Sequence, residues 1–212
     1  MSKWWTGGLS PIDVGDSLRI VPFWDSWRTE PDRLNLVIDP GASFGSGDHP
    51  TTLIALELLE KTISQIHNVQ KPLSLFDIGT GTGVLAIAAQ ALGCEFIVAC
   101  DLDPSAIWLA KRNIALNENL RSEAHNRRPH FYVGPLDAVQ HTFDLVVANL
   151  AAPVLKRLKK ELIARSGRYL ILSGIPDSMF DLIQEEFSDE KTNIEDAFRI
   201  SEWNGLVFRK NV

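Results

Sequence analysis

From Pro50 onward, short apolar runs alternate with longer stretches of helical period, and this alternation constrains the fold more than any other feature of the chain. Candidate strands fall at Leu73–Gly79, Glu95–Asp101, His130–Val133, Phe143–Asn149 and Arg168–Gly174. Candidate helices fall at Pro50–Ile66, Val84–Gly93, Asp103–Asn117, Pro153–Ala164 and Asp177–Phe187. Most of these strands are almost wholly apolar, so both faces need cover. That predicts an α/β fold with a mostly parallel sheet between two helical layers. The last two candidate strands, Asn193–Ile200 and Trp203–Arg209, have only a short connection and predict an antiparallel hairpin at one edge. Asn204 and Gly205 leave the start of the second one open. Pro50 suits a first helical turn, where a missing N–H costs nothing, and Asp103 followed by Pro104 reads as an N-cap.

Residues 1–35 differ in character. They hold four of the six tryptophans (Trp4, Trp5, Trp24, Trp27), with short strands predicted at Leu18–Val21 and Leu34–Ile38. They read as a linker-like lead segment in front of one domain spanning 36–212. The formal net charge of −6 argues against direct binding to a phosphate backbone. No apolar run has the length of a membrane span, and the first residues lack the apolar core of a secretory signal. Cys94 and Cys100 form no metal-ligand pattern and read as buried thiols in a reducing compartment. Together these predict a cytoplasmic protein. The run Lys156-Arg157-Leu158-Lys159-Lys160 reads as a solvated helix face.

Asp77-Ile78-Gly79-Thr80-Gly81-Thr82-Gly83 follows the first core strand and opens a helix. Glycines there let the backbone turn sharply and approach a ligand. Asp101 ends the next strand, where an acid binds ribose hydroxyls in nucleotide-binding sheets. The pattern is D-x-G-x-G-x-G, not the dinucleotide G-x-G-x-x-G, because Val84 stands where the third glycine belongs. A carboxylate at the entrance would repel a pyrophosphate and attract the ammonium and sulfonium of S-adenosylmethionine. Asp77, Gly79, Gly81 and Asp101 are therefore candidate cofactor-binding residues. A purely structural use of Asp77, capping the loop's amides, is the alternative. Asp103 reads as a helix cap first. Asn149 ends another core strand beside the loop. Its amide and the free carbonyls near it could hold an amine with its lone pair toward a methyl group, or Asn149 could simply start a turn. Asn149-Leu150-Ala151-Ala152 is not the N-P-P-Y of enzymes that methylate bases or glutamine amides.

Ile38–Thr52 (I-D-P-G-x-x-F-G-x-G-x-H-P-T-T), DIGTGTGVLAIAA, DLDPSAI, VVANLAAPVL and LSGI occur in order and at normal spacing. Together they resemble the catalytic domain of the bacterial ribosomal protein L11 methyltransferase family, from about Trp24 to the end. The resemblance implies a seven-stranded, Rossmann-like class I methyltransferase fold with S-adenosyl-L-methionine as cofactor. It implies N-methylation of a protein substrate, such as a ribosomal protein, at lysine side chains and an α-amine. By motif, Thr52, Gly79, Asp101 and Asn149 match cofactor-binding positions, and Phe44 and Gly45 match a loop that folds over the cofactor. The family's separate substrate-gripping N-terminal domain has no counterpart in the lead segment. A small-molecule or nucleic-acid N-methyltransferase on the same core, or a non-catalytic partner-binding module, stays open as an alternative.

Methyl transfer needs alignment and exclusion of water, and no metal. On that chemistry Gly41–Asp48 is predicted to be a lid, with Phe44 its apolar cover and Thr52 a hydroxyl anchor. The alternative is that the glycines mark tight turns and Phe44 fills the core. His49 reads as a residue that holds the loop by a hydrogen bond ahead of one that takes a proton.

Overall fold

A computed structural model describes residues 10–41, 47–67, 73–120, 128–189 and 192–211. The chain opens with a small sheet of three strands, β1 (Ile12–Val14), β2 (Leu18–Pro22) and β3 (Leu34–Ile38). β2 pairs antiparallel with β1 and parallel with β3, in register from Leu18 opposite Leu34 to Pro22 opposite Ile38. β1 carries no sequence signal of its own: three residues are too few to show a period.

α1 (Pro50–His67) follows. β4 (Ser74–Ile78), α2 (Val84–Ala91), β5 (Phe96–Asp101), α3 (Pro104–Leu116), β6 (His130–Val133) and β7 (Phe143–Asn149) then alternate. The predicted helix over 153–164 is two helices, α4 (Ala152–Arg157) and α5 (Lys159–Arg165), broken at Leu158 with φ −92° and ψ 7°. β8 (Ser166–Pro176) is longer than predicted, because its far end also pairs with the last strand. The helix predicted from Asp177 begins as a 3-10 turn and becomes α6 (Phe180–Phe187). β9 (Thr192–Ile200) and β10 (Trp203–Lys210) form the expected antiparallel hairpin, and β10, not β9, lies against β8.

The seven-stranded sheet has the order β6-β5-β4-β7-β8-β10-β9. Alternate residues of its strands feed two cores. Leu75, Ile97, Ala99, Leu145, Val147 and Ile171 pack with α1, α2 and the small sheet. Phe76, Val98, Val146, Leu170 and Leu172 pack with Leu155 of α4, Leu162 of α5 and Ile183 and Phe187 of α6. Gly205 sits in β10 because α1 presses on it: a Cβ there would lie 2.4 Å from Ile54 Cγ2. No helix among the described residues is long and apolar enough to cross a membrane. Cys94 and Cys100 are buried free thiols.

The basic run on α4 and α5 is not simply solvated. Lys156 and Lys159 both reach Glu186 of α6, at 3.0 and 3.6 Å, and Lys156 in particular holds the Glu186 carboxyl below its ordinary range.

The small sheet is fastened to α1 through one carboxylate. Buried Glu60 accepts from the N–H groups of Asp16 (2.9 Å) and Ser17 (2.7 Å) and from the Ser17 hydroxyl. Glu60→Ala would leave those amides short of an acceptor. Urea unfolding should show a loss of about 2–3 kcal/mol, and amide exchange should show the β1–β2 turn opening first.

Candidate active site

β4 is the point at which the sheet changes direction of growth. The chain adds β5 and β6 on one side of it, then returns to add β7 and β8 on the other. Strand ends diverge at such a switch and leave a crevice. Here a cavity of about 830 Å³ opens beyond the carboxyl ends of β4, β5, β6 and β7. That is within the range of small-molecule sites, about 300–1,000 Å³.

One wall is the glycine turn. Gly79 has φ +73° and Gly81 φ +53°, and Gly79 and Thr80 donate their amides to Cys100 O at 2.9 and 3.0 Å. A Cβ on Gly79 would lie 2.5 Å from Leu150 Cδ2, across the crevice. Asp101 stands beside this wall. Its Oδ2 accepts from Gly81 N–H and its Oδ1 from Asp103 N–H, both at 3.0 Å. It therefore has a structural task the sequence did not reveal, bracing the turn against the start of α3. Asp103 is the predicted cap: its Oδ1 accepts from Ser105 N–H at 2.8 Å, and Ser105 holds its carboxyl below the usual range.

Gly79, Gly81, Asp101 and Asn149 all line the cavity. Asp77 and Thr52 do not. Asp77 is fully buried behind the turn, its Oδ2 accepting from Thr80 Oγ1 at 2.6 Å and its Oδ1 without a hydrogen-bond partner among the described residues. Burial pushes its carboxyl from the ordinary 3.8 up to about 7, against the pull of the Thr80 hydroxyl and the Ala86 amide and with a further push from Asp101. Thr52 is buried in the first turn of α1, where its Oγ1 accepts from Asn149 Nδ2 at 3.4 Å. Asn149 Oδ1 is buried with no partner among the described residues. Phe44 and Gly45, and with them the middle of the proposed lid, lie outside the described residues.

His49 and Trp203 close the cavity near Asn149, their rings edge to face with centroids 5.4 Å apart. His49 Nδ1 lies 2.9 Å from Thr51 Oγ1 and accepts from Thr51 N–H at 3.3 Å. An amide can only donate, so Nδ1 is an acceptor and the neutral ring carries its proton on Nε2. That favours the loop-holding role. Ser173 Oγ donates to Thr51 O at 2.8 Å and ties this turn to β8. Gly174 has φ +86°, and a Cβ there would lie 2.3 Å from Leu150 O.

Two parts of the lining escaped the sequence reading. Gly134, Pro135, Leu136 and Asp137 follow β6 and form the far wall. Their position just past a strand's carboxyl end was the available signal. Val154, Arg157, Leu158 and Glu161 form the floor. Their spacing of three and four marks one helical face, and that face begins at the end of β7.

The described charged lining holds four carboxylates (Asp101, Asp103, Asp137, Glu161) and one guanidinium, Arg157. Such a wall favours a cationic ligand over a pyrophosphate.

The fold places the chain in the class of seven-stranded methyltransferases. A solved ribosomal protein L11 methylase from Lactobacillus delbrueckii subsp. bulgaricus superposes with a TM-score of 0.81 at 31% identity, over 96% of this chain and 100% of that one. A more distant likeness, at 16% identity and TM-score 0.54 over 79% of this chain and 84% of that one, is to magnesium protoporphyrin IX methyltransferase of Synechocystis and bears on the fold alone. The model of the family described as ribosomal protein L11 methyltransferase (PrmA) matches residues 2–211, and the chain belongs to that family. Ribosomal protein L11 methyltransferases of Pelobacter propionicus and of a Geobacter species are 37% and 38% identical, over 99% and 97% of this chain. The chain spans 66% and 65% of those proteins' lengths, about two thirds.

Asp77 supplies a test of the site's electrostatics. Its folded pKa is raised, so between pH 3.8 and 7 the native state keeps a proton that the unfolded chain has lost. Stability from this group therefore falls as pH rises through that window. Asp77→Asn fixes the neutral form and keeps an acceptor for Thr80. In thermal and urea denaturation it should match the native protein near pH 4 and exceed it at pH 8, by up to about 4 kcal/mol at about 1.4 kcal/mol per pKa unit.

Proposed function

We propose that the protein is an S-adenosylmethionine-dependent N-methyltransferase acting on amino groups of a protein, with a ribosomal protein as its substrate. The observation that carries this is the acidic cavity at the switch point, with the carboxamide oxygen of Asn149, which has no partner among the described residues, in its wall. Membership of the family and the names of its relatives support the choice of substrate.

The residues present fit the cofactor. Gly79 and Gly81 leave main chain bare at the cavity wall, Asp101 offers carboxylate oxygens at the place for ribose hydroxyls, and the carboxylates suit a sulfonium and an ammonium. When bound, S-adenosylmethionine supplies an electrophilic methyl carbon on a positively charged sulfur that leaves as a neutral thioether.

The protein's own task is alignment. An attacking amine must arrive neutral, with two N–H bonds and one lone pair. Asn149 Oδ1 is an acceptor for one of those N–H groups, which fixes where the lone pair points. His49, whose Nδ1 accepts from Thr51 N–H, holds the wall. The apolar surfaces of Leu150, Pro153 and Trp203 exclude water around the reacting atoms.

Calorimetry should show binding of S-adenosylmethionine and none of a nicotinamide dinucleotide. The opposite preference would refute the reading. With labelled cofactor and a cell extract, label should enter protein; label in RNA or small molecules would point to the alternative substrates. Asn149→Ala should lower kcat by about a hundredfold, comparable to removing one preorganised polar contact, with a smaller change in cofactor affinity. His49→Gln should lower the rate without changing the shape of the pH–rate profile, and a lost limb would assign it a proton.

A further inference from the structure

β3 has one hydrogen-bonding edge on β2. Its other edge faces α3, and two asparagine side chains there stand in for a neighbouring strand. Asn117 Oδ1 accepts from Val37 N–H at 2.8 Å, and its Nδ2 donates to Val37 O at 2.7 Å. One turn earlier, Asn113 repeats the arrangement with Asp39, at 2.9 and 3.0 Å. The match is geometric. Four residues of helix rise about 6 Å, and two residues of strand advance about 6.6 Å. Asn113 on α3 and Asn117, the residue that caps its end, therefore meet Asp39, just past β3, and Val37 within it. Both asparagines are fully buried.

Beyond this shared clasp the two differ. Asn117 Nδ2 makes its second bond within its own helix, to Asn113 O at 2.8 Å. Asn113 Nδ2 makes its second bond to Thr82 O at 2.9 Å, inside the glycine turn. One carboxamide thus joins the end of β3 to the turn that forms a cavity wall. Asp39 is itself a junction. Its Oδ1 accepts from Gly41 N–H at 3.1 Å, and its Oδ2 pairs with Arg112 Nη1 at 3.1 Å. Asn113 itself lies outside the cavity lining.

We propose that Asn113 is a positioning residue. It holds the glycine turn, which forms a cavity wall, in one fixed relation to Asp39 at the end of β3, so that the small sheet braces the wall that a ligand meets. The proposal rests on the cofactor reading above. Asn117 is the internal control, because it clasps the same strand with the same chemistry and has no bond to the turn.

The experiment compares the full chain with Asn113→Ser and Asn117→Ser. Thermal unfolding measures the cost of the clasp, titration calorimetry measures affinity for S-adenosylhomocysteine, and amide exchange is followed with and without that ligand. Both variants should lose similar stability. Asn113→Ser should bind about tenfold more weakly, the scale of one lost buried hydrogen bond, and Asn117→Ser should bind like the native protein. In the native protein the ligand should slow exchange at Gly41 as well as at Gly79–Gly83, and this needs no variant to fold. Equal affinity losses in the two variants, or ligand protection confined to the glycine turn, would overturn the proposal alone. Failure of the native protein to bind S-adenosylhomocysteine would overturn the cofactor reading and this proposal with it.

Discussion

The crevice between β4 and β7 is the constraint from which the rest follows. Two parallel neighbours whose crossovers leave in opposite directions cannot both have their carboxyl ends covered. The glycine turn after β4 and Asn149 at the end of β7 face each other for that reason, not through any attraction between them. The remaining elements supply walls: the first turn of α1, the start of α3, the segment after β6 and one face of α4 and α5. The packing beneath is what allows the opening. Two apolar cores, one on each face of the sheet, hold the strands rigid up to the residue where the cavity begins.

Electrostatics at this opening are split between two layers. Asp101, Asp103, Asp137 and Glu161 lie on the cavity wall and give it its sign. Asp77 lies behind them, with its carboxyl pushed up to about 7 by burial, and does not face the cavity. Of the two acids beside the glycine turn, Asp101 faces the cavity and Asp77 does not. In the proposed reading the selection of a cationic ligand falls to Asp101 and its neighbours on the wall, and Asp77 serves the turn through Thr80.

The large architecture was legible because it is written in apolar period. Leu34–Ile38, His130–Val133 and Phe143–Asn149 stand in the structure at the predicted bounds, since each is a short apolar run between turn residues. What stayed hidden was written in polar residues whose partners are distant in sequence. Nothing near Glu60 announces the Asp16–Ser17 turn, and nothing near Asn113 announces Asp39 or Thr82. On a helix wheel Glu60 and Asn113 are blemishes on an apolar face, as is Asn117. Only the fold shows that each is fully bonded. Within the site, glycines, Asp101 and Asn149 were readable by motif. Arg157 and Glu161 were not, because a helix face acquires meaning only when one knows what lies beneath its first turn.

Gly174 has a wider implication. Main chain from β8 passes so near Leu150 that not even a methyl group fits between them. The direction in which the edge beside Asn149 points is thus inherited from strand against strand, not from any replaceable side chain. Evolutionary drift can repaint the walls, and with them the clientele, while the aim of the machine stays put. Anyone hoping to retarget it must bend β8 and not merely redecorate the cavity.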